Sequence, residues 1–158
     1  MFERILIPLD GSKVGEAALP YIEEMISKLK SEMKIEVTLF QAVSSLTYYV
    51  VAGEASARVP YTEKELEVIK HKSIDYLKKT RDTLKSYGAI VKTKVSTGNA
   101  ASEIVKTANE INADVIAMST HGRSGLGRWA FGSVTDRVLH EASVPILMIR
   151  APKEERET

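Results

Sequence analysis

The segment Ile5-Leu6-Ile7-Pro8-Leu9 is apolar without alternation, and Asp10-Gly11-Ser12 follows it directly. A short, continuously apolar run of this kind is typical of a strand that is covered on both faces of a parallel sheet. Ser12 belongs to the residue types that accept a hydrogen bond from a backbone N–H group at the start of a helix. The beginning of the chain therefore predicts a buried strand, a tight turn and a helix.

The same order of signals recurs along the chain. Segments with helical periodicity separate four further apolar runs, which lie at 35–43, 89–95, 114–118 and 146–149. Strands that alternate with helices require right-handed crossovers, which place the strands in a mostly parallel sheet and the helices on both of its faces. We therefore expect one α/β domain over 1–151, followed by a charged tail over 152–158.

Four helices are predicted from apolar residues spaced three and four apart. Pro20 lies within the first helix and should kink it or loosen its first turn, whereas Asn99 can cap the third. The fourth begins at Ser133 and runs to about Ala142. The residues expected to face the core are Val14, Ala18, Tyr21, Met25 and Leu29 in the first helix, Leu66, Ile69, Ser73, Tyr76, Leu77, Thr80 and Leu84 in the second, and Ala101, Ile104, Val105, Ala108 and Ile111 in the third.

Residues 44–60 show neither a strand nor a helix period. They are rich in Ser, Ala, Val and Tyr. A long loop, a lid over a binding site and a short extra helix all remain open for this segment.

Composition excludes several classes of protein. The 158 residues include no cysteine, which excludes disulfides, thiolate catalysis and cysteine-based zinc sites. The formal net charge of +1 provides no overall field that would attract nucleic acid or an anionic membrane surface. No apolar run approaches the ~20 residues that span a bilayer, and Met1-Phe2-Glu3-Arg4 lacks the layout of a signal peptide. We expect a cytoplasmic protein with neither nucleic acid nor a membrane as its partner.

The most distinctive local feature is Ser119-Thr120-His121-Gly122-Arg123-Ser124-Gly125, completed further on by Gly132-Ser133. No acidic residue occurs between Ser119 and Thr135, and the glycines of this stretch allow backbone N–H groups to approach an anion closely. Gly132-Ser133 opens a predicted helix, whose N-terminus favours a phosphate. The alternative is a surface loop with an ordinary cap, in which Ser133 and Asp136 form a capping box. The position after a buried strand favours an anion site, because ligands in such sheets lie beyond the carboxyl ends of strands.

Other phosphate and catalytic motifs fit less well. Gly122 and Gly127 have the spacing of a P-loop, but Arg128 and Trp129 replace its lysine and hydroxyl residues. The match to G-x-G-x-x-[GA] at 125–130 lies several residues after its strand and lacks the acidic residue that should follow. No serine lies in a G-x-S-x-G elbow, so we assign no catalytic residue.

Three segments resemble the universal stress protein family: MFERILIPLDGS at the start, MSTHGRSGLGRWAFGSVTDRVL in the last third, and VPILMIR near the end. The resemblance covers nearly the whole chain. ATP-binding members of that family carry the motif G-x-x-G-x9-G-[ST], which here reads Ser119-x-x-Gly122, nine residues, then Gly132-Ser133. Ser119 therefore stands in the place of the first glycine.

The resemblance implies a doubly wound, five-stranded parallel sheet with strand order 3-2-1-4-5, and a homodimer paired through the last strand, Ile146 to Ile149. It also implies ATP or another adenine nucleotide as the ligand, accompanied by Mg²⁺. The residues that would bind it are Pro8, Leu9 and Asp10 beside adenine and ribose, Ala42 and Met118 beside the base, Ser119 near the ribose or phosphate, and Gly122, Arg123, Ser124, Gly132, Ser133 and Val134 around the phosphates.

A nucleotide-binding regulatory protein of the stress response is the function that this resemblance implies, with no catalytic and no metal-ligating residue assigned. One alternative is an ATP-consuming enzyme of the same fold, a slow ATPase or a phosphoryl or nucleotidyl transferase. Its acceptor pocket would have to come from residues 44–60. The other alternative is a dimeric adapter that binds no nucleotide, the fate of family members that lose their glycines.

Replacing Gly122 with valine tests the glycine motif directly. The β-branched side chain would lie where backbone and phosphate approach each other, so the affinity for ATP should fall at least tenfold, or about 1.4 kcal/mol. Isothermal titration calorimetry measures the affinity, and circular dichroism shows whether the fold is retained. An unchanged affinity would rule out this loop as the phosphate site.

Overall fold

The computed structural model describes residues 3–29, 34–51, 55–85, 88–120 and 132–152, with only the backbone described over 47–51 and 55–58. Most of the expected glycine-rich loop, 121–131, and residues 153–158 of the expected tail lie outside these ranges. The strands of the described chain are β1 (Arg4–Pro8), β2 (Glu36–Val43), β3 (Leu46–Val51), β4 (Ala55–Pro60), β5 (Ile90–Thr97), β6 (Val115–Thr120) and β7 (Ile146–Arg150). The helices are α1 (Lys13–Glu16), α2 (Leu19–Lys28), α3 (Glu63–Lys85), α4 (Ala100–Glu110) and α5 (Ser133–Glu141).

Five strands form one parallel sheet in the order β5-β2-β1-β6-β7. Counted along the chain without the two strands between β2 and α3, this order is 3-2-1-4-5, so the expected fold class and topology are confirmed. Strand β1 lies at the centre, where Ile5, Leu6 and Ile7 have no solvent exposure. The run is apolar without alternation because the strand is buried on both faces, as the sequence indicated.

Helices cover both faces of the sheet. On one face, Ile5, Ile7 and Leu39 pack with residues of α2 and α3, including Ile22 and Leu77. On the other, the alternate strand residues pack with α4 and α5; this cluster includes Leu6, Phe40, Ile104, Ile116 and Val138. The two cores are separated by the sheet, as in a doubly wound domain.

The first predicted helix is divided in two. Helix α1 ends at Glu16 and α2 begins at Leu19, with Pro20 in its first turn, where a missing N–H leaves no intrahelical bond unmade. The division changes which residues face the core, because Leu19, Ile22 and Ile26 are buried. Tyr21, which we expected among the inward residues, is 57% exposed. That prediction was wrong because it assumed one continuous helix, whereas the break between α1 and α2 changes which side of the helix faces the core.

Residues 44–60, for which the sequence left a loop, a lid or a short helix open, contain a β-hairpin. Strands β3 and β4 pair antiparallel, with Leu46 opposite Pro60 and Val51 opposite Ala55. A hydrogen bond of 3.0 Å from the Tyr61 N–H to the Ser45 carbonyl closes the base. The long loop and the short helix were therefore wrong, and a lid formed by this hairpin stays a prediction. The reason is compositional, since Thr, Tyr and Val of β3 are the residue types that favour strands.

Strand β6 is longer than its apolar core. We expected it to end at Met118, but Ser119 and Thr120 continue the ladder and pair with Ile149 and Arg150. Ser119 is therefore a strand residue and not the first residue of a loop. No helix in the described part of the chain combines the length and the apolar composition that crossing a membrane would need.

Asp114 connects the beginning of β6 to the beginning of β1. Its Oδ2 accepts hydrogen bonds from the backbone N–H groups of Arg4 (2.8 Å) and Glu3 (3.0 Å). These two bonds, reinforced by the Arg4 guanidinium, hold the pKa of the Asp114 carboxyl below its ordinary value because they stabilise the charged form.

Asp114→Asn should lower the midpoint temperature of unfolding at neutral pH. A depressed folded-state pKa contributes stability above the unfolded value of about 3.9, and this contribution is lost as the pH falls through the folded-state pKa. The difference between variant and wild type should therefore shrink toward zero as the pH falls below 4, which scanning calorimetry across pH measures. Asp75→Asn, on the exposed side of α3, is the matched control and should show no such convergence. A pH-independent effect of Asp114→Asn would contradict this role.

Candidate functional site

The two central strands separate at their carboxyl ends. The ladder between β1 and β6 consists of Ile5 opposite Val115 and Leu6 opposite Ile116, although both strands continue further. In a strand of a parallel sheet, the N–H and C=O groups of one residue point toward one adjacent strand. Those of the next residue point toward the strand on the other side. The Arg4 carbonyl accepts a hydrogen bond from the beginning of β6, and the Leu9 N–H donates one to β2. Pro8 is an even number of residues from Arg4, so it faces β6, but it has no N–H to donate there. Pairing stops at this residue, and a crevice opens where the strand order reverses.

A cavity of about 290 Å³ occupies this crevice. Its described lining comes from the ends of β1, β2 and β6, from α1, and from the N-termini of α4 and α5. The lining residues are Pro8, Leu9, Asp10, Val14, Gly15, Phe40, Ala42, Ala100, Ile104, Met118, Ser119, Gly132, Ser133, Val134 and Thr135.

The structure brings together nine of the twelve residues that the sequence singled out for the site, namely Pro8, Leu9, Asp10, Ala42, Met118, Ser119, Gly132, Ser133 and Val134. Gly122, Arg123 and Ser124 lie outside the described residues. The sequence missed Val14, Gly15, Phe40, Ala100, Ile104 and Thr135. Position beside a strand end was an available signal for Phe40 and Ala100, but nothing in the sequence distinguishes Ile104 or Val14 from ordinary core.

The floor of the cavity is apolar. Leu9, Phe40, Ile104 and Met118 are each buried to nine-tenths or more. Buried carbon and thioether surfaces of this kind suit a flat, weakly hydrated group such as a heteroaromatic base.

One carboxylate, that of Asp10, lies at the rim beside this floor. Asp10 Oδ1 accepts hydrogen bonds from the Ser12 N–H (2.9 Å) and the Ser12 hydroxyl (2.6 Å). The Ser12 hydroxyl in turn accepts from the Gly15 N–H at 3.0 Å, which confirms Ser12 as the N-cap of α1. Asp10 remains exposed, so its second oxygen can accept hydrogen bonds from a ligand.

The opposite rim is the N-terminus of α5. The capping box that we considered for Ser133 and Asp136 is not formed, because the N-cap is Gly132 and no side chain caps the helix there. The Gly132 carbonyl accepts from the Asp136 N–H at 2.9 Å, which is an ordinary first helical bond. The early N–H groups and the helix dipole therefore offer a partial positive charge at this rim.

Within the described part of the chain, Gly132 has neither of the usual structural reasons to be glycine. Its φ of −63° and ψ of 158° are open to any residue, and a Cβ built there would meet no atom of the described residues within 4 Å. As far as these residues go, the space in front of Gly132 is open, as a close approach of another molecule to the backbone would require.

The described residues provide no ligand set for the expected Mg²⁺. No group of three or more His, Asp or Glu side chains that could hold a metal ion occurs among them. The side chains of the described residues therefore offer no cluster that would hold a magnesium ion.

A larger depression of about 570 Å³ lies on the α1, α2 and α3 side of the sheet. Its lining includes Tyr21 and Tyr76, and the Tyr76 hydroxyl donates to Glu16 at 2.9 Å. Burial and the Glu16 charge raise the pKa of Tyr76, so it stays protonated at neutral pH. The smaller cavity is the better candidate site, since it lies at the strand-order reversal beside an uncapped helix N-terminus.

Comparison with known proteins decides the family. The family model described as "Universal stress protein family" matches residues 1–150. The chain belongs to this family. A universal stress protein of Methanocaldococcus jannaschii, MJ0531, is 33% identical over 156 residues, which cover 98% of this chain and 86% of that relative.

Solved structures of universal stress proteins share the fold. The structure of MJ0577, also from Methanocaldococcus jannaschii, has a TM-score of 0.71 at 24% identity and covers 97% of this chain and 99% of its own. An Arabidopsis thaliana family member with AMP bound has a TM-score of 0.67 at 13% identity, with coverage of 96% and 94%. A universal stress protein in complex with cAMP has a TM-score of 0.59 at 17% identity, with coverage of 96% and 98%.

Proposed function

We propose that this universal stress protein binds an adenine nucleotide in the crevice between β1 and β6 and acts as a nucleotide-dependent regulatory protein of the stress response. The observation that carries the proposal is that nine of the twelve residues expected to bind the nucleotide line one cavity. They come from four distant parts of the chain, so their meeting is not a consequence of sequence proximity.

The base and ribose would occupy the inner part of the cavity. Adenine would lie against the apolar floor around Leu9, Phe40 and Met118. Asp10, at the rim, would accept a hydrogen bond from the ribose hydroxyls or from the amino group of adenine. Both halves of a nucleoside thus have a matching surface.

The phosphates would lie at the N-terminus of α5. Gly132 lets them approach the backbone, and the N–H groups of Ser133 and Val134 would donate to phosphate oxygens. Gly122, Arg123 and Ser124 would complete this side, as the family motif implies. Any Mg²⁺ would be held by the phosphates, because the described residues offer no ligand cluster for it.

Two relatives support the class of ligand. One solved family member carries AMP and another carries cAMP, and both share this fold. They favour a nucleotide with an adenine base, while the number of phosphates is left to the binding experiment below.

Binding without chemistry is the simpler function for this site. Among the described lining residues, Asp10 is the carboxylate, and it already holds two hydrogen bonds from Ser12. An enzyme would need a nucleophile and a base directed at one reacting atom. The described lining instead provides an apolar floor and N–H donors, which hold a ligand.

Gly132 offers the cleanest test of the proposed site. Gly132→Ala and Gly132→Val fill a space that no atom of the described residues occupies, so the fold should be retained while ATP and AMP bind about tenfold more weakly in the valine variant. Calorimetry against ATP, ADP, AMP and cAMP measures this, with alanine expected between wild type and valine. Ser143→Val, just beyond the other end of α5, is the matched control and should bind as wild type. Equal affinities for wild type and Gly132→Val would contradict the phosphate position.

We also propose that the protein forms a homodimer through β7. The two edges of the sheet differ, since edge strand β5 carries Lys92 and Lys94, which form ion pairs with Glu36 and Glu110. Charged residues of this kind discourage strand addition. Strand β7 has no charged residue from Ile146 to Ile149, and Leu147 is 38% exposed. An uncharged, apolar segment at the sheet edge is suited to pairing with a second copy.

Met148→Pro tests this dimer. The Pro145 carbonyl bonds to β6, so the N–H groups of alternate residues Ile146 and Met148 point away from the sheet toward the proposed partner. Proline at 148 removes one such donor and should give a monomer in sizing with light scattering. Met148→Ala shortens the same side chain but keeps the N–H, and it should remain a dimer. If the proline variant also remains a dimer, β7 is not the interface.

A further inference from the structure

The turn that carries Asp10 is held by a network that reaches into β6. Asp10 Oδ1 accepts from Ser12, and Ser12 accepts from the Gly15 N–H. The Gly15 carbonyl then accepts a hydrogen bond of 3.1 Å from the Ser119 hydroxyl, more than a hundred residues away in sequence. One chain of bonds thus connects the Asp10 carboxylate with the far side of the crevice.

Gly15 is tightly matched to the position of Asp10. A Cβ at residue 15 would lie 2.3 Å from Asp10 Oδ1 and 3.3 Å from the Ser12 hydroxyl oxygen. Carbon and oxygen atoms do not approach that closely without bonding, so any side chain at 15 would displace the carboxylate. The backbone of Gly15 lies in a helix and does not need glycine for conformational reasons. The structural reason for glycine at residue 15 is therefore that the Asp10 carboxylate leaves no room for a side chain.

Ser119 is the position where this chain departs from the glycine of the family motif. A glycine at 119 has no hydroxyl and could not make the bond to the Gly15 carbonyl. Because Ser119 also lines the cavity, its hydroxyl connects the ligand-facing end of β6 to the turn on β1. Serine at this position therefore adds a hydrogen bond between β6 and α1 that the glycine of the motif could not make.

We propose that Gly15 and Ser119 are positioning residues for the Asp10 carboxylate and thereby set the affinity for the nucleoside part of the ligand. This inference rests on the proposed nucleotide-binding function. Gly15 leaves room for Asp10 Oδ1, and Ser119 fixes the Gly15 backbone that holds Ser12 and Asp10 in place. Neither residue needs to contact the nucleotide through its own side chain.

A double-mutant cycle tests the role of Gly15. In the wild-type background Gly15→Ala should weaken AMP binding about fivefold or more, because Asp10 is displaced. In the Asp10→Ala background the same change should have almost no effect, since there is no carboxylate to displace. Alanine is a better helix former than glycine, so the unfolding temperature of Gly15→Ala should not fall. A lost affinity at unchanged stability cannot come from a weakened fold.

The outcomes separate this inference from the proposed function. Inorganic phosphate is the control ligand. If the wild type binds AMP, ATP and cAMP no better than inorganic phosphate, the proposed function fails and this inference fails with it. If the wild type binds and Asp10→Ala weakens binding while Gly15→Ala binds normally, the nucleotide site stands and the role of Gly15 is contradicted. Equal losses for Gly15→Ala in both backgrounds would also contradict it.

Ser119 is tested by side-chain exchange. Ser119→Ala removes the hydroxyl and should weaken AMP binding about threefold, with no effect in the Asp10→Ala background. Ser119→Thr keeps the hydroxyl and should restore most of the affinity. If alanine and threonine bind AMP equally, the hydroxyl does not position Asp10.

Discussion

The break in hydrogen bonding between β1 and β6 is the constraint on which the site depends. Both strands are central and buried, so continued pairing would close the sheet and leave no space at its carboxyl edge. Pro8 cannot donate toward β6, and the ladder stops after Leu6 and Ile116. The chain then turns away at Asp10, while β6 continues along β7 to Thr120. The crevice thus opens where the strand order reverses, at the residue whose missing N–H ends the pairing of the two central strands.

Each side of that crevice follows from a local choice of residue. The apolar floor is formed by residues that also belong to the two core clusters, so the site gains its shape from the packing of the fold. The polar rims come from the turn after β1 and from the start of α5, where Gly132 replaces a side-chain cap. Both rims lie at the ends of secondary-structure elements, and their residues line the cavity.

Sequence reasoning succeeded where a residue has a strong local role. The central strand, the caps at Ser12 and Asn99, and the inward residues Ser73 and Leu77 of α3 follow from periodicity and capping chemistry. The strand order came from the resemblance to a family. Prediction from the sequence failed where the structure of a residue depends on distant parts of the chain. Ser119, for example, is polar and yet pairs with β7. The hairpin at 46–60 was missed because its strands lack a regular alternation, although their composition favours strands.

The site itself was predictable in part for the same reason. Residues at strand ends, such as Asp10 and Met118, can be placed from the topology of a parallel sheet. Ile104 and Val14 line the crevice that opens where β1 and β6 separate, and no local sequence pattern distinguishes them from ordinary core residues. Gly15 is the extreme case, since its importance lies in the absence of a side chain next to a carboxylate five residues earlier.

A crystal structure of the protein grown with AMP tests the central claim most directly. We expect the base over Leu9 and Met118, a hydrogen bond to the Asp10 carboxylate, and the phosphate at the N–H groups of Ser133 and Val134. A nucleotide bound in the depression beside Tyr21 and Tyr76, or bound with its phosphate away from α5, would contradict it.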